Sequence, residues 1–350
     1  MNNRSAEAAG TTRRLFVYNG GLLARGRVRR ILELAGWDVR IGRPRPGDRI
    51  GVWGRSPTSP RGEAIASLTS APLVRIEDAF LRSLHPGRTG SPPLGLLVDE
   101  LGVHFDASVP SSLERLLTEH PLDDDALLER AREGMRRMKA AHLSKYAAVL
   151  PEIAPPEAGF VLLIDQTRGD ASIEWGGASE ATFDQMLSAA RIDHPEARIV
   201  IKTHPETASG HRAGHFSGDD EGTELLSEPV SPWHILEAAK AVYTVSSGLG
   251  FEAILAGHRP KVFGQPWYAG WGLTDDLSPP ARRGRSLTAE QLFAAAMILS
   301  PVWYDPHRDA LASFETALAA FEAEAKAWRM DRLGWVATGM RRWKHRPLQR

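Results

Sequence analysis

A continuous apolar run at residues 159–165, GFVLLID, gives way at once to the polar, glycine-containing stretch QTRGDASI at 166–173. An unbroken apolar strand has to be covered on both faces. That is the condition of a parallel sheet flanked by helices, and such sheets present reactive side chains at the carboxyl ends of their strands. Three further segments repeat the arrangement: RIEDAFLRS at 75–83, KTHPE at 202–206 and VSSGLGFEAILAG at 245–257.

The spacing of apolar residues predicts β then α at 13–19 and 20–35, short strands at 38–41, 49–53, 72–76 and 94–98, and a helix near 61–68. One long helix is expected over 123–150, with acids at its start and bases toward its end. The Pro-rich PEIAPPEAG that follows cannot continue it. A second α/β series then alternates strands at 159–165, 197–203, 241–245 and 260–263 with helices at 181–191, 232–239, 250–256 and 287–299, and a helical region runs from 308 to about 328. The expected organisation is a disordered tail at 1–12, an N-terminal α/β domain at 13–122, a linker helix and hinge at 123–158, a Rossmann-like domain at 159–304, and C-terminal helices with a basic tail at 305–350. Two parallel-sheet domains facing across a linker would leave a ligand cleft between them.

With 43 basic and 43 acidic residues in 350, there is no basic excess to suggest a nucleic-acid partner. The chain has no Cys, which removes disulfides, thiolate metal sites and a Cys nucleophile. It also lacks HExxH, Walker A and GxSxG patterns, so no metal or other cofactor is expected. No apolar run reaches membrane-spanning length and the start is polar, so a cytoplasmic location is expected. The one local charge signal is the tail from Ala327, in which Trp328, Trp335 and Trp343 accompany seven Arg or Lys and one Asp. Such a tail suits an anionic membrane surface, or else packs on the N-terminal domain.

Chemistry can be assigned to the strand ends in more than one way. Asp170, between Gly169 and small residues, reads as a nucleophile open to a sugar or as a turn Asp capping a helix. Lys202 and His204 can meet one phosphate with Arg168, with Glu206 orienting His204, or Lys202 can simply emerge into water. Ser246, Ser247 and Gly248 stand where a strand becomes a helix, a phosphate-binding geometry that also suits a plain N-cap, and Glu252 one turn later can reach ribose hydroxyls. Glu77 with Asp78, and Asp99 with Glu100, are acid pairs of which Glu77 and Asp99 are candidate general bases, though a pair can also only bind Arg75 or Arg82. The loop FGQPWYAGWGLTDD at 263–276 concentrates aromatics that stack on sugars or pack inward, Trp271 among them.

Taken in order, RIEDAFLRS, PPLGLLVDELGVHFDA, QTRGDASI, KTHPE, VSSGLGFEAILAG and FGQPWYAGWGLTDD resemble the KpsC/KpsS (LipA/LipB) capsule polysaccharide synthesis family, most closely a single module of its KpsC branch. The resemblance covers roughly residues 15–305. It implies a GT-B-like α/β fold of two Rossmann-type domains and a retaining β-Kdo transferase that uses CMP-Kdo. The acceptor implied is a lyso-phosphatidylglycerol-type glycolipid at the inner membrane surface, with other capsule assembly or export proteins as possible partners. Position by position, it implies Asp170 as nucleophile, His204 as a catalytic contact, and Gln166, Arg168, Lys202, Ser246, Ser247, Gly248 and Glu252 around the donor. Asp78, Arg82 and Trp271 are the expected acceptor contacts. Family members read EDGF where this chain has Glu77, Asp78, Ala79 and Phe80, and an aromatic pair where it has His104 and Phe105. The alternative is a non-catalytic capsule assembly or export protein that binds glycolipid.

Overall fold

The protein is seen in a computed structural model that describes residues 13–24, 26–218 and 222–344, with side chains described through residue 332. Among the described residues thirteen strands form two sheets. The first comprises β1 (Arg13–Val17), β2 (Trp37–Arg40), β3 (Arg49–Trp53), β4 (Leu73–Asp78) and β5 (Gly95–Asp99). The second comprises β6 (Phe160–Ile164), β7 (Ile199–Lys202), β8 (Thr223–Leu226), β9 (Ala239–Thr244), β10 (Lys261–Val262) and β11 (Asp275–Asp276). The chain then returns to the first sheet as β12 (Val302–Asp305) and β13 (Ala310–Ala312), so the sheet orders are β13-β12-β5-β4-β3-β1-β2 and β11-β10-β9-β6-β7-β8.

The second sheet is parallel throughout, and its central β6 is buried at all five positions, as its unbroken apolar sequence requires. The first is parallel only from β2 to β4. The expectation of a wholly parallel first sheet is corrected there, because β5 runs antiparallel to β4, and β12 and β13 extend that edge. Both units are Rossmann-type α/β domains. Strand β8 was not expected from the sequence, and residues 308–313 include β13 where a helix was predicted, with the last helix starting at Phe314.

The predicted helix at 123–150 is shorter than expected. Asp124 caps it by accepting from the Leu127 amide at 2.7 Å, and it runs as Asp125–Ala140. His142 then takes a positive φ of 50°, and the Leu143 amide reaches back to the Met138 carbonyl at 2.8 Å. The backbone beyond is claimed by tertiary partners. The Trp233 indole donates to the Leu143 carbonyl at 2.8 Å, and Tyr146 bridges in parallel to Ser83. Segment 143–148 therefore leaves the helix and lies against residues 82–84, its polar groups satisfied across the domain boundary rather than within a helix.

That boundary is tightly packed. One apolar cluster contains Ala79, Leu81, Leu113 and Leu117 of the first domain together with Trp233, Phe251, Trp267 and Trp271 of the second. Beside it, buried Glu114 accepts from both Arg282 and Arg283, the Arg283 Nε–Glu114 distance being 2.9 Å. Among the described residues no helix is long and apolar enough to cross a membrane.

Candidate functional site

A cleft of about 1250 Å³ opens between the two sheets, and it is lined by the ends of β4, β6, β7 and β9 and by the released segment near Lys145. On the β6 side, Gly169 holds a φ of 69°, a left-handed turn that a glycine adopts without strain. Asp170 follows, half-buried and lining the cleft, with its Oδ1 accepting from the Ser172 amide at 2.9 Å. The capping geometry is present, and it occupies one carboxylate oxygen.

Gln166 ties the ends of β6 and β9 together. Its side-chain amide donates to the Ser246 hydroxyl at 3.0 Å and accepts from the Ser246 amide at 2.9 Å, which fixes Ser246 at the mouth of the cleft. Ser247 and Gly248 follow along the same edge, with the Ser247 carbonyl accepting from Tyr268 at 2.6 Å. Glu252 is buried, and its Oε1 accepts from the Ser144 hydroxyl at 2.7 Å while Oε2 has no partner. Burial pushes its carboxyl up to about 7 against those hydrogen bonds. A carboxylate oxygen without a partner, on a residue that lines the cleft, can take a hydroxyl donor from a ligand.

Lys202 lines the cleft, but its ammonium donates to the Thr203 and Leu226 carbonyls at 3.1 Å each and approaches that of Glu228 at 3.5 Å. Burial lowers it to about 8. His204 is lowered to about 4, by burial first and then by the positive charge of Lys145, so at neutral pH it is uncharged. Its Nδ1 accepts from the Glu206 amide at 3.1 Å, which places the ring proton on Nε2. His204 is thus a neutral donor rather than a cation. The Glu206 carboxylate does not orient it and instead pairs with Arg88 at 3.6 Å and Arg212 at 3.9 Å.

Two first-domain carboxylates face this edge. Burial, with the charges of Asp78 and Asp170 adding to it, pushes Glu77 up to about 8, and Lys145 opposes the shift. Asp78 has one oxygen held by Arg82 Nε at 2.6 Å and the other without a partner. His104 is pushed down to about 3 by burial and then Lys145, and it packs edge-on against Phe80 and Phe105, their ring centres 5.0 and 5.2 Å away. Lys145 stands among these groups. Tyr146 first, then Asp78, Asp170 and Glu77, hold its ammonium above the ordinary value.

Four expected site residues lie elsewhere. Trp271 is fully buried in the core with its indole donating to the Trp267 carbonyl at 2.8 Å, so it is not a sugar contact, and Trp267 lines the cleft in its place. Arg168 is drawn outward by Glu180 at 2.5 Å and the Gly214 carbonyl at 2.9 Å, while Arg212 lines the cleft. Arg82 is buried behind Asp78, where it also donates to the Ser91 carbonyl at 2.8 Å, and it acts on the cleft only by holding that carboxylate. Asp99 caps a helix, accepting from the Ser112 amide at 2.8 Å and the Leu101 amide at 2.8 Å, and it faces a separate chamber of about 230 Å³ behind Glu77. Its oxygens are occupied, whereas Glu77 accepts a single long bond from the Asp78 amide at 3.3 Å and lines the cleft, which makes Glu77 the available acid of the two candidate bases.

Sequence reasoning missed Lys145 and Arg212. Lys145 was placed inside a helix, and no local signal marks the break at Ala140. Trp328, at the start of the basic tail, packs 5.8 Å from His85 at the cleft rim, and Arg329 donates to the Ala141 carbonyl at 2.9 Å. Trp335 and Trp343 lie outside the residues whose side chains are described.

Residues 48–152 and 125–300 match the family model described as capsule polysaccharide biosynthesis protein. The capsule polysaccharide modification protein LipA of Neisseria meningitidis serogroup A is 36% identical over 270 residues, covering 73% of this chain and 38% of LipA. The lipopolysaccharide-processing protein LpsZ of Rhizobium meliloti is 38% identical over 263 residues, covering 73% of this chain and 60% of LpsZ. This chain therefore spans about two fifths of the length of LipA and three fifths of LpsZ. Among solved structures, Thermosulfurimonas dismutans KpsC, beta Kdo 2,4 transferase, is similar at 31% identity with a TM-score of 0.83, covering 89% of this chain and 98% of that one. The beta Kdo 2,7 transferase of the same KpsC, at 24% identity and a TM-score of 0.67 over 90% of this chain and 99% of that one, shares the fold. The family-model match takes in β3 to β11, well over half of the chain, and on that ground the chain belongs to the capsule polysaccharide biosynthesis family.

Proposed function

We propose that this protein is a retaining β-Kdo transferase that uses CMP-Kdo and builds a Kdo linker on a glycolipid of the lyso-phosphatidylglycerol type at the inner membrane surface. The observation that carries the reading is the meeting of Asp170 and Glu77 in one cleft. They come from opposite domains, and they lie close enough that the Asp170 charge helps raise Glu77. A nucleophile and a base on facing walls is what a double displacement requires.

In the first step an Asp170 oxygen bonds to C2 of the sugar as the bond from C2 to the CMP phosphate oxygen breaks, the electron pair leaving with CMP. In the second, the acceptor hydroxyl oxygen bonds to C2 and the ester bond breaks, returning its pair to Asp170. The hydroxyl proton goes to Glu77. Two inversions leave the configuration retained. Around the nucleotide, Ser246, Ser247 and Gly248 form the wall beneath the phosphate, the unpartnered Glu252 oxygen suits a ribose hydroxyl, and the Nε2 proton of neutral His204 suits a phosphate oxygen. The similarity to the beta Kdo 2,4 transferase supports the choice of sugar.

The test is incubation of the purified protein with CMP-Kdo, with and without a glycolipid acceptor. CMP release is expected with acceptor, and mass spectrometry after denaturing quench should find a sugar adduct on the peptide holding Asp170 when acceptor is withheld. No CMP release under either condition would remove the transferase reading and leave a binding role.

The base makes a separate prediction. Glu77 accepts a proton only when ionised, and with its carboxyl pushed up to about 8 the ionised form is the minority at pH 7. Transfer to acceptor should therefore climb as pH rises toward about 8 and level off above it, by roughly tenfold per unit on the rising limb. In Glu77→Gln the climb should disappear and the adduct on Asp170 should accumulate. A wild-type profile that is flat between pH 6 and 8 would assign the proton to another group.

A further inference from the structure

Five Lys and Arg side chains line the cleft among the described residues, and four are already engaged. Arg55 pairs with Asp106 and Glu63, and Arg88 with Glu206. Lys202 donates to backbone carbonyls, and Arg212 to the Arg168 carbonyl at 2.5 Å. Lys145 differs. Among the described residues its ammonium makes no hydrogen bond and no ion pair, and it stands 5.7 Å from the centre of the Tyr146 ring with its side chain open to solvent.

The backbone that carries it is fixed from both sides. The Lys145 amide donates to Glu252 Oε1 at 3.3 Å in the second domain, and its carbonyl accepts from the Arg82 amide at 3.1 Å and the Ser83 amide at 3.4 Å in the first. A cation that faces the Tyr146 ring but has no hydrogen-bond or ion-pair partner is thus held on a clamped backbone, in a cleft that it lines together with Glu77 and Asp78 from β4, Asp170 after β6, and the rings of His104 and His204. Holding a lysine there without a partner is unusual, since nearby acids would ordinarily draw it into a direct pair.

The chemistry of the donor accounts for the arrangement, and this step rests on the reading given above. A 2-keto sugar acid carries a carboxylate on the very carbon that Asp170 attacks, so two anions must approach each other in a confined cleft. A neutral sugar would raise no such repulsion. We infer that Lys145 receives the carboxylate of an acidic sugar donor at the reacting carbon, and so makes the cleft selective for sugar acids over neutral sugars. Nucleotide recognition falls instead to Ser246 and the unpartnered oxygen of Glu252, whose other oxygen accepts from the Lys145 backbone amide, not its ammonium.

The affinities of CMP-Kdo and of CMP alone, measured by titration calorimetry, test this in Asp170→Asn, a background chosen to prevent turnover, with and without Lys145→Met or Lys145→Arg. Lys145→Met should weaken CMP-Kdo by roughly 10- to 100-fold, the scale of a lost charge-assisted hydrogen bond, and leave CMP within about threefold. Lys145→Arg should keep most of the preference for CMP-Kdo. Equal weakening of both ligands, an unchanged CMP-Kdo affinity, or the same loss in the Arg and Met variants would each overturn the inference. If Asp170→Asn still releases CMP, the nucleophile reading fails instead, and the Lys145 comparison is then made on kcat/KM for CMP-Kdo against the affinity for CMP, with the same outcomes deciding it.

Discussion

Asp170→Ala should lower the rate of CMP release by at least about a thousandfold while the protein stays folded, because under the proposed double displacement the loss of the covalent nucleophile leaves only binding and electrostatic contributions. The structural cost is small by comparison. Asp170 caps only the short turn Ala171–Glu174, and loss of an N-cap costs about 1 kcal/mol. Asp170→Asn separates the two roles further, since the amide oxygen can still accept from the Ser172 amide but cannot form the glycosyl ester. Turnover measured beside the urea midpoint distinguishes them. An Ala variant with more than a tenth of wild-type turnover would mean that Asp170 is only a cap.

The second large effect concerns stability. Glu114→Ala should destabilise the protein by about 3–5 kcal/mol, the typical result of stripping one partner from a buried ion pair. Glu114 accepts from two guanidiniums, and Arg283 is almost entirely buried, with its side chain also donating to the Pro266 carbonyl at 2.5 Å. Burial already lowers Arg283 and Glu114 opposes that shift, so the variant would leave a guanidinium uncompensated inside the domain boundary. The midpoint in urea measures the loss. Glu129→Ala is the contrast, because the pair with Arg132 is exposed and such pairs add little. Equal midpoints for the two variants would show that the Glu114 contacts do not join the domains.

Much of the candidate site was legible because it lies at strand ends. The apolar run of β6 followed by Gly169 and Asp170, the polar end of β7 at His204, and the Ser246–Gly248 turn after β9 all carry local signals that a parallel sheet projects to one edge. What failed was the fate of long side chains. Arg168 and Arg212 are both plausible phosphate ligands by type. Glu180, twelve residues on from Arg168, decides that Arg168 turns away. Trp267 and Trp271 sit in one loop, and which of them meets the cleft depends on how the loop packs against the helices of the shared core. Asp99 read as well as Glu77 until the Ser112 amide and its neighbours were found to occupy it.

The sequence by itself determined the two α/β domains and the placing of Asp170, His204 and Ser246 at strand ends, because apolar periodicity and glycine turns act over a few residues. Only the tertiary structure decided that the helix after Asp124 stops at Ala140, that Lys145 enters the cleft, and that β12 and β13 return to the first sheet. The first two outcomes depend on hydrogen bonds that Trp233, Arg82 and Ser83 donate to, and Glu252 accepts from, a backbone that local propensity would have kept helical, and the third on the pairing of Val302 and Trp303 with Leu96 and Gly95; partners so far apart in the chain leave no mark on the residues they redirect.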